Sequence, residues 1–142
     1  MKERFSNKTA IAPTASISII CGGSSPGIEP IAANSFTHKT LSGSFNVRNK
    51  YLKKILEKYN KDTDDVWSSI TTNQGSVSHL EFLTAEEKDT FKTAFEIDQR
   101  WIIELGADRT PHISQAQSIN VFIPADIHKK ELHAIHFQAW KK

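Results

Sequence analysis

The chain has 142 residues, a length that suits one ordinary domain or part of a larger one. Its 18 Lys and Arg against 16 Asp and Glu leave a net charge of +2, with no basic stripe interleaved with aromatics, which argues against a nucleic-acid partner. No apolar run approaches about 18 residues, the charged start Met1-Lys2-Glu3-Arg4 lacks a signal core, and the single cysteine, Cys21, has no internal disulfide partner; a cytoplasmic protein without membrane contact is expected.

Residues 1–7 are polar and expected to fray. Residues 8–12 read as a strand, cut by Pro13. Residues 14–21 form a short helix if Thr14 is its N-cap. The first backbone N–H groups of such a helix have no intrahelical acceptor and carry the positive end of the dipole, so they make an anion site, with Thr14 and Ser16 hydroxyls as added donors. A second reading stands beside it. Ile17-Ser18-Ile19-Ile20 is β-branched at three of four positions and alternates, which suits a buried strand ending in a turn at Gly22-Gly23.

Gly22 to Pro30 reads as loop. Residues 35–47 read as extended, with a turn at Ser42-Gly43. Asn49 caps a helix with Leu52, Ile55, Leu56 and Tyr59 at amphipathic spacing. Asp62 or Thr63 caps a second, with Val66, Trp67 and Ile70 inside. Thr84 with Glu87 is a capping-box pattern. That helix has Phe91, Ala94 and Phe95 on one face and is expected to run on, bent, through Ile97, Trp101, Ile102 and Leu105. Thr110-Pro111 reads as an N-cap and first helical position, residues 118–123 as a strand ended by Pro124, and Asp126 as the cap of a last helix with Leu132, Ile135 and Ala139.

Other chemistry-bearing residues have simpler readings. His128, His133 and His136 lie near one another on the last helix, but the spacing is not His-x-x-x-His and no carboxylate follows as base, so they read as solvated or packing groups and no metal is expected. Cys21 beside Gly22-Gly23 lacks an identifiable histidine base and reads as a small buried residue. The glycine-rich Gly22-Gly23-Ser24-Ser25-Pro26-Gly27 has no Lys-Thr/Ser ending and is not a P-loop. Glu29 and Asp108-Arg109 read as structural ion-pair candidates, and Trp101, Ile102 and Leu105 as core.

Several blocks, in order, resemble one family. Ile11-Ala12-Pro13-Thr14-Ala15-Ser16 followed by Gly27-Ile28-Glu29-Pro30 is similar to the C-terminal part of the large, catalytic (alpha) subunit of class I ribonucleotide reductase. Thr37-His38-Lys39-Thr40-Leu41-Ser42-Gly43-Ser44-Phe45 with Val47, Asn49 and Tyr51-Leu52 looks like the next block, as does Asn73-Gln74-Gly75-Ser76-Val77. Ala107-Asp108-Arg109, Gln115-Ala116-Gln117-Ser118-Ile119-Asn120 and Ala139-Trp140-Lys141-Lys142 continue the likeness over nearly the whole chain.

The resemblance implies an α/β fold: an incomplete segment of the ten-stranded reductase barrel, mostly helical with a few strands. It implies one partial domain over 1–142, the late part of the barrel domain, with the final strand missing. In the family the segment after the proline binds the substrate diphosphate, which carries over here to Thr14, Ala15, Ser16 and Ile17. The family's finger-loop cysteine, asparagine and glutamate, its redox cysteine pair and its radical-relaying tyrosines have no counterpart, so no catalytic residue and no cofactor are expected in this chain. The completed family enzyme uses a radical-generating small subunit and a dithiol reductant. The implied partners are therefore the remaining fragments of the large subunit, the small subunit and a ribonucleoside diphosphate. The competing functions are a catalytically inactive relic or docking or regulatory piece that binds a partner without turnover, and a stand-alone small nucleotide or phosphate binder.

Overall fold

A computed structural model describes residues 6–41 and 43–142, so the expectations for Met1 to Arg4 and for Ser42 lie outside the described residues. The described chain is mostly helical, with two strands, and divides into two compact units. One comprises residues 30–97; the other comprises the residues up to Glu29 together with 98–142. Among the described residues no helix is long and apolar enough to cross a membrane.

In the unit 30–97, the stretch expected to be extended is two strands, β1 (Ser35–Thr40) and β2 (Gly43–Arg48), paired as an antiparallel hairpin in the register Ser35–Arg48 to Thr40–Gly43. Helix α2 (Lys50–Lys58) begins where the Asn49 side chain accepts from the Tyr51 and Leu52 amides. Helix α3 (Asp64–Thr72) begins at Thr63, whose hydroxyl accepts from the Val66 amide. Asp62, the other candidate cap, accepts from the Trp67 indole N–H at 2.6 Å. These caps satisfy donors that the helix ladder cannot reach.

The amphipathic spacing of both helices then delivers a core of Leu52, Leu56, Trp67 and Ile70, closed by Val77, Leu80, Leu83 and Phe91. Each such side chain contributes about 1.5–3 kcal/mol when fully buried. A buried polar hub ties this core together. The Asn34 side-chain amide donates to the carbonyls of Gly75 (3.0 Å) and Phe91 (2.7 Å), and its oxygen accepts from Asn49 Nδ2 at 2.9 Å. Gly75 makes the approach possible: its φ is +82°, and a Cβ there would stand 2.4 Å from the Ala33 Cβ.

Helix α4 (Ala85–Thr90) carries the expected capping box of Thr84 and Glu87. It does not run on to Leu105. Asn34 takes the Phe91 carbonyl, the Ala94 amide donates to Ile31 O, and Thr93 starts a second capping box with Glu96 over the 3-10 turn Ala94–Glu96. Two caps in ten residues divide what the apolar periodicity joins.

In the other unit, α5 (Arg100–Arg109) continues into a 3-10 turn at Thr110–His112. Thr110-Pro111 opens only this 3-10 turn, with Pro111 at its start as expected, but Thr110 is not a cap: its hydroxyl donates back to Gly106 O. Ile102 is buried, but Trp101 and Leu105 are exposed, so the expected core stripe holds at one position of three. The last helix, α6 (Lys129–Lys141), is capped by His128, whose Nδ1 accepts from the Lys130 amide, and not by Asp126. Lys142 and Gln138 both bond the Glu104 carboxylate, which joins α5 to the end of α6.

The strands expected at 8–12 and 118–123 are replaced by one isolated parallel bridge, Ile11 to Gln117. The reason lies in what accepts the amides of the second segment. Ser118 N donates to the backbone carbonyl of Ile11 (3.2 Å), but Asn120 N donates to the Glu29 carboxylate and Phe122 N to the Gln99 side-chain oxygen, each at 2.7 Å. The donor period of a strand is present, and side chains supply acceptors that a neighbouring strand would otherwise provide.

Candidate functional site

The segment from Ala12 to Glu29 holds the residues of the candidate site. Residues Ala15–Ile20 form helix α1, which resolves the two sequence readings in favour of helix. Its β-branched residues oppose that choice, and local hydrogen bonds outweigh them. The Ser18 amide donates to Thr14 O, the Ser18 hydroxyl donates to Ala15 O at 2.8 Å, and Cys21 N closes the turn on Ile17 O. Ser18 is buried, whereas Ile17, Ile19 and Ile20 are exposed. Cys21 is exposed as well, contrary to the buried role expected of it; it lies at the helix end where the chain turns into the loop.

Thr14 is the N-cap by position only. Its side chain makes no cap hydrogen bond, and its backbone is left-handed, at φ 51° and ψ 30°. A β-branched residue there is strained by about 1–3 kcal/mol. What its hydroxyl does is accept from the Gly27 amide at 2.6 Å. Gly27 is itself left-handed (φ +59°), and a Cβ on it would stand 3.4 Å from the Ala12 carbonyl, so the loop folds closely over the Ala12–Thr14 turn. Because Thr14 Oγ1 uses a lone pair on Gly27, its own proton remains to donate elsewhere.

The first intrahelical bond is that of the Ser18 amide, so the Ala15, Ser16 and Ile17 amides precede the ladder. The four positions Thr14, Ala15, Ser16 and Ile17 thus stand together at one helix start. Ser16 is exposed and carries a second hydroxyl.

The base of this segment is held on both flanks. Before Thr14, Thr9 O accepts from Gln115 N, Thr9 Oγ1 accepts from Ser114 N, and Ile11 O accepts from Ser118 N. After it, Glu29 is buried and its Oε1 accepts from both Asn120 N and Asn120 Nδ2 at 2.7 Å. Sequence reading offered Glu29 only as an ion-pair candidate and missed this partner, which stands 91 residues away. Arg109 likewise finds an amide: its Nε donates to Gln117 Oε1, while Gln117 Nε2 donates to Gly106 O and Thr110 Oγ1.

The histidines of α6 serve the helix itself. His133 stacks on Phe137 with centroids 5.9 Å apart, and His136 Nδ1 lies 2.8 Å from Leu132 O. Among the described residues no cluster of three or more His, Cys, Asp or Glu is placed to hold a metal ion.

The family model of the ribonucleotide reductase barrel domain matches residues 3–142, and the chain belongs to that family. It is 51% identical over 142 residues to the ribonucleoside-diphosphate reductase large subunit of Invertebrate iridescent virus 6, covering 97% of this chain and 15% of that protein. Against the large subunit of Invertebrate iridescent virus 3 it is 47% identical over 140 residues, covering 96% of this chain and 22% of the relative. Among solved structures it is similar to the alpha subunit of Actinobacillus ureae class Id ribonucleotide reductase, with a TM-score of 0.80 and 38% identity over 92% of this chain and 23% of that one. The chain therefore corresponds to a region of a ribonucleotide reductase large subunit, and spans less than a quarter of each of these relatives.

Proposed function

We propose that this chain supplies the diphosphate-binding segment of a ribonucleoside-diphosphate reductase large subunit, and that the rest of the subunit comes from other segments. The observation that carries the reading is the start of α1. The Ala15, Ser16 and Ile17 amides precede the first intrahelical bond, and the Thr14 hydroxyl, engaged as an acceptor by Gly27, keeps its proton for a phosphate oxygen. Family membership supports the same positions, because their order around Pro13 is the order that the resemblance assigns to substrate phosphates.

In this reading the chain binds and orients. A diphosphate anchored at Thr14 to Ile17 fixes the ribose toward reacting groups outside the chain, and the lowered freedom of the substrate is the chain's contribution to rate. Radical generation belongs to a small-subunit partner and reducing equivalents to a dithiol, since this chain offers only Cys21. Each charge-assisted hydrogen bond to the anion contributes about 1.5–3 kcal/mol.

The test is Ala15→Asp in the assembled large subunit. A carboxylate placed among the donors is expected to weaken ribonucleoside diphosphate binding by about tenfold or more, the equivalent of about 1.4 kcal/mol. Substitution of His133 or His136 by Gln is expected to leave binding unchanged. Normal affinity in the Asp variant with loss in a histidine variant would place the site elsewhere. Assembly without any nucleotide binding would favour the docking function.

A further inference from the structure

Glu29 is a buried carboxylate that the diphosphate reading does not use. Its position is specific. Two residues before it, the Gly27 amide holds Thr14 Oγ1 at 2.6 Å. At Glu29 itself, one carboxylate oxygen accepts both the backbone and the side-chain N–H of Asn120. The same stretch that carries Asn120 also holds the chain ahead of Thr14, through Ser118 N on Ile11 O and the Ile11–Gln117 bridge. Thr14 is thus fixed from both sides against residues 117–120. Only the Glu29 side of that hold is made by a side chain.

We propose that Glu29 is the positioning residue of the diphosphate site, acting through Asn120 and Gly27 rather than on the substrate. The inference rests on the diphosphate reading and deepens it. By standing in for a missing strand neighbour at Asn120, Glu29 pins the end of the loop, so that the Gly27 amide stays on the Thr14 hydroxyl. That bond holds Thr14 in the left-handed conformation it would otherwise leave, and directs the hydroxyl proton away from Gly27. Released from Asn120, the loop end is free to move, Thr14 relaxes, and the donors lose their common direction.

The function demanded of Glu29 is to accept, not to be charged. Glu29→Gln keeps an oxygen for both Asn120 donors, and Glu29→Ala removes it. The measurement is the ratio of affinities for a ribonucleoside diphosphate and for the corresponding nucleoside, in the large subunit assembled from this chain and the remaining reductase segments. A purely structural role lowers the assembled fraction and leaves that ratio alone. Glu29→Ala is expected to reduce the ratio by about tenfold and Glu29→Gln to stay within about threefold of the unaltered protein.

Thr14→Val serves as the control, since it removes the donor hydroxyl at similar volume. If Thr14→Val lowers the ratio and Glu29→Ala does not, the positioning role is overturned and the diphosphate reading survives. If neither lowers it, the diphosphate reading itself fails. Equal losses in Glu29→Gln and Glu29→Ala would overturn the acceptor argument. Should Glu29→Ala prevent assembly, Glu29→Asp withdraws the carboxylate by one methylene; a reduced ratio is expected, and an unchanged ratio contradicts the proposal.

Discussion

At the starts of α1 and α4, Thr14 and the Thr84–Glu87 pair put polar side chains to different uses. Both stand at helix starts, where amides need acceptors. Glu87 completes its own helix: it accepts from the Thr84 amide at 2.9 Å and from the Tyr59 hydroxyl at 3.2 Å. The Thr84 backbone bond, with help from Tyr59, holds its carboxyl below the usual carboxylate range. A depressed pKa gives stability that is present above the unfolded value near pH 4.3 and lost as pH falls through the folded one. The start of α4 is therefore expected to loosen below about pH 4, which amide exchange at Glu87 and Lys88 can follow; Glu87→Gln should flatten that dependence. Thr14, by contrast, leaves its helix uncapped and bonds the loop instead. Gly75 is a purely structural counterpart. Gly75→Ala adds a Cβ 2.4 Å from the Ala33 Cβ at a positive φ, and a loss of about 2–4 kcal/mol in unfolding free energy is expected by denaturant titration.

At the level of elements, three helix caps were readable, those at Thr110 and Asp126 were misplaced, and distant partners were not readable. Asn49, Thr63 and Thr84 announce their helices because the capping side chain lies within three residues of the amide it serves. The extended character of residues 35–47 was readable as well, and their antiparallel pairing is what the structure adds. Two of the misread elements turn on partners far away in the chain, whereas the Thr110 and His128 corrections are local. Residues 118–123 alternate as a strand would, but their amides meet Glu29 and Gln99 side chains, which no local pattern discloses. The break after α4 depends on Asn34, 57 residues away from Phe91. The helix at Ala15–Ile20 was readable as an alternative only, because its propensity points the other way. The resemblance directs attention to Thr14 to Ile17 as a candidate site, and the Glu29–Asn120 anchor was not legible at all. Asn34 gives this scale its prediction. Asn34→Ala removes the side-chain partner of the Phe91 carbonyl and of Asn49, while the Gly75 carbonyl keeps its bond to the Asn34 backbone N–H, and a loss of about 2–4 kcal/mol is expected in thermal or denaturant unfolding.

Over the whole molecule, apolar side chains left in contact with water set the behaviour of the chain on its own. Ile20 on α1, Leu41 at the hairpin turn, and Trp101 and Trp140 on α5 and α6 are all exposed, with Trp140 79% accessible. Phe137 and Trp140 form a ring pair with centroids 5.7 Å apart on the surface of α6. Such surfaces mark interaction sites or association hazards. The purified chain alone is expected to self-associate in sedimentation, more so as concentration rises, and Trp140→Lys to reduce that association. A barrel-domain region that spans under a quarter of its relatives fits this behaviour, because an element with an unburied apolar face needs a neighbouring layer. On the proposed function, the chain contributes substrate binding to chemistry performed by other parts of the subunit. Deoxyribonucleotide formation tests it most directly, with the remaining large-subunit segments, a radical-generating small subunit and a dithiol, in the presence and absence of this chain. Product is expected only when the chain is present, and sharply less with Ala15→Asp at subsaturating ribonucleoside diphosphate. Equal turnover without the chain, or turnover by the chain and small subunit alone, would contradict it.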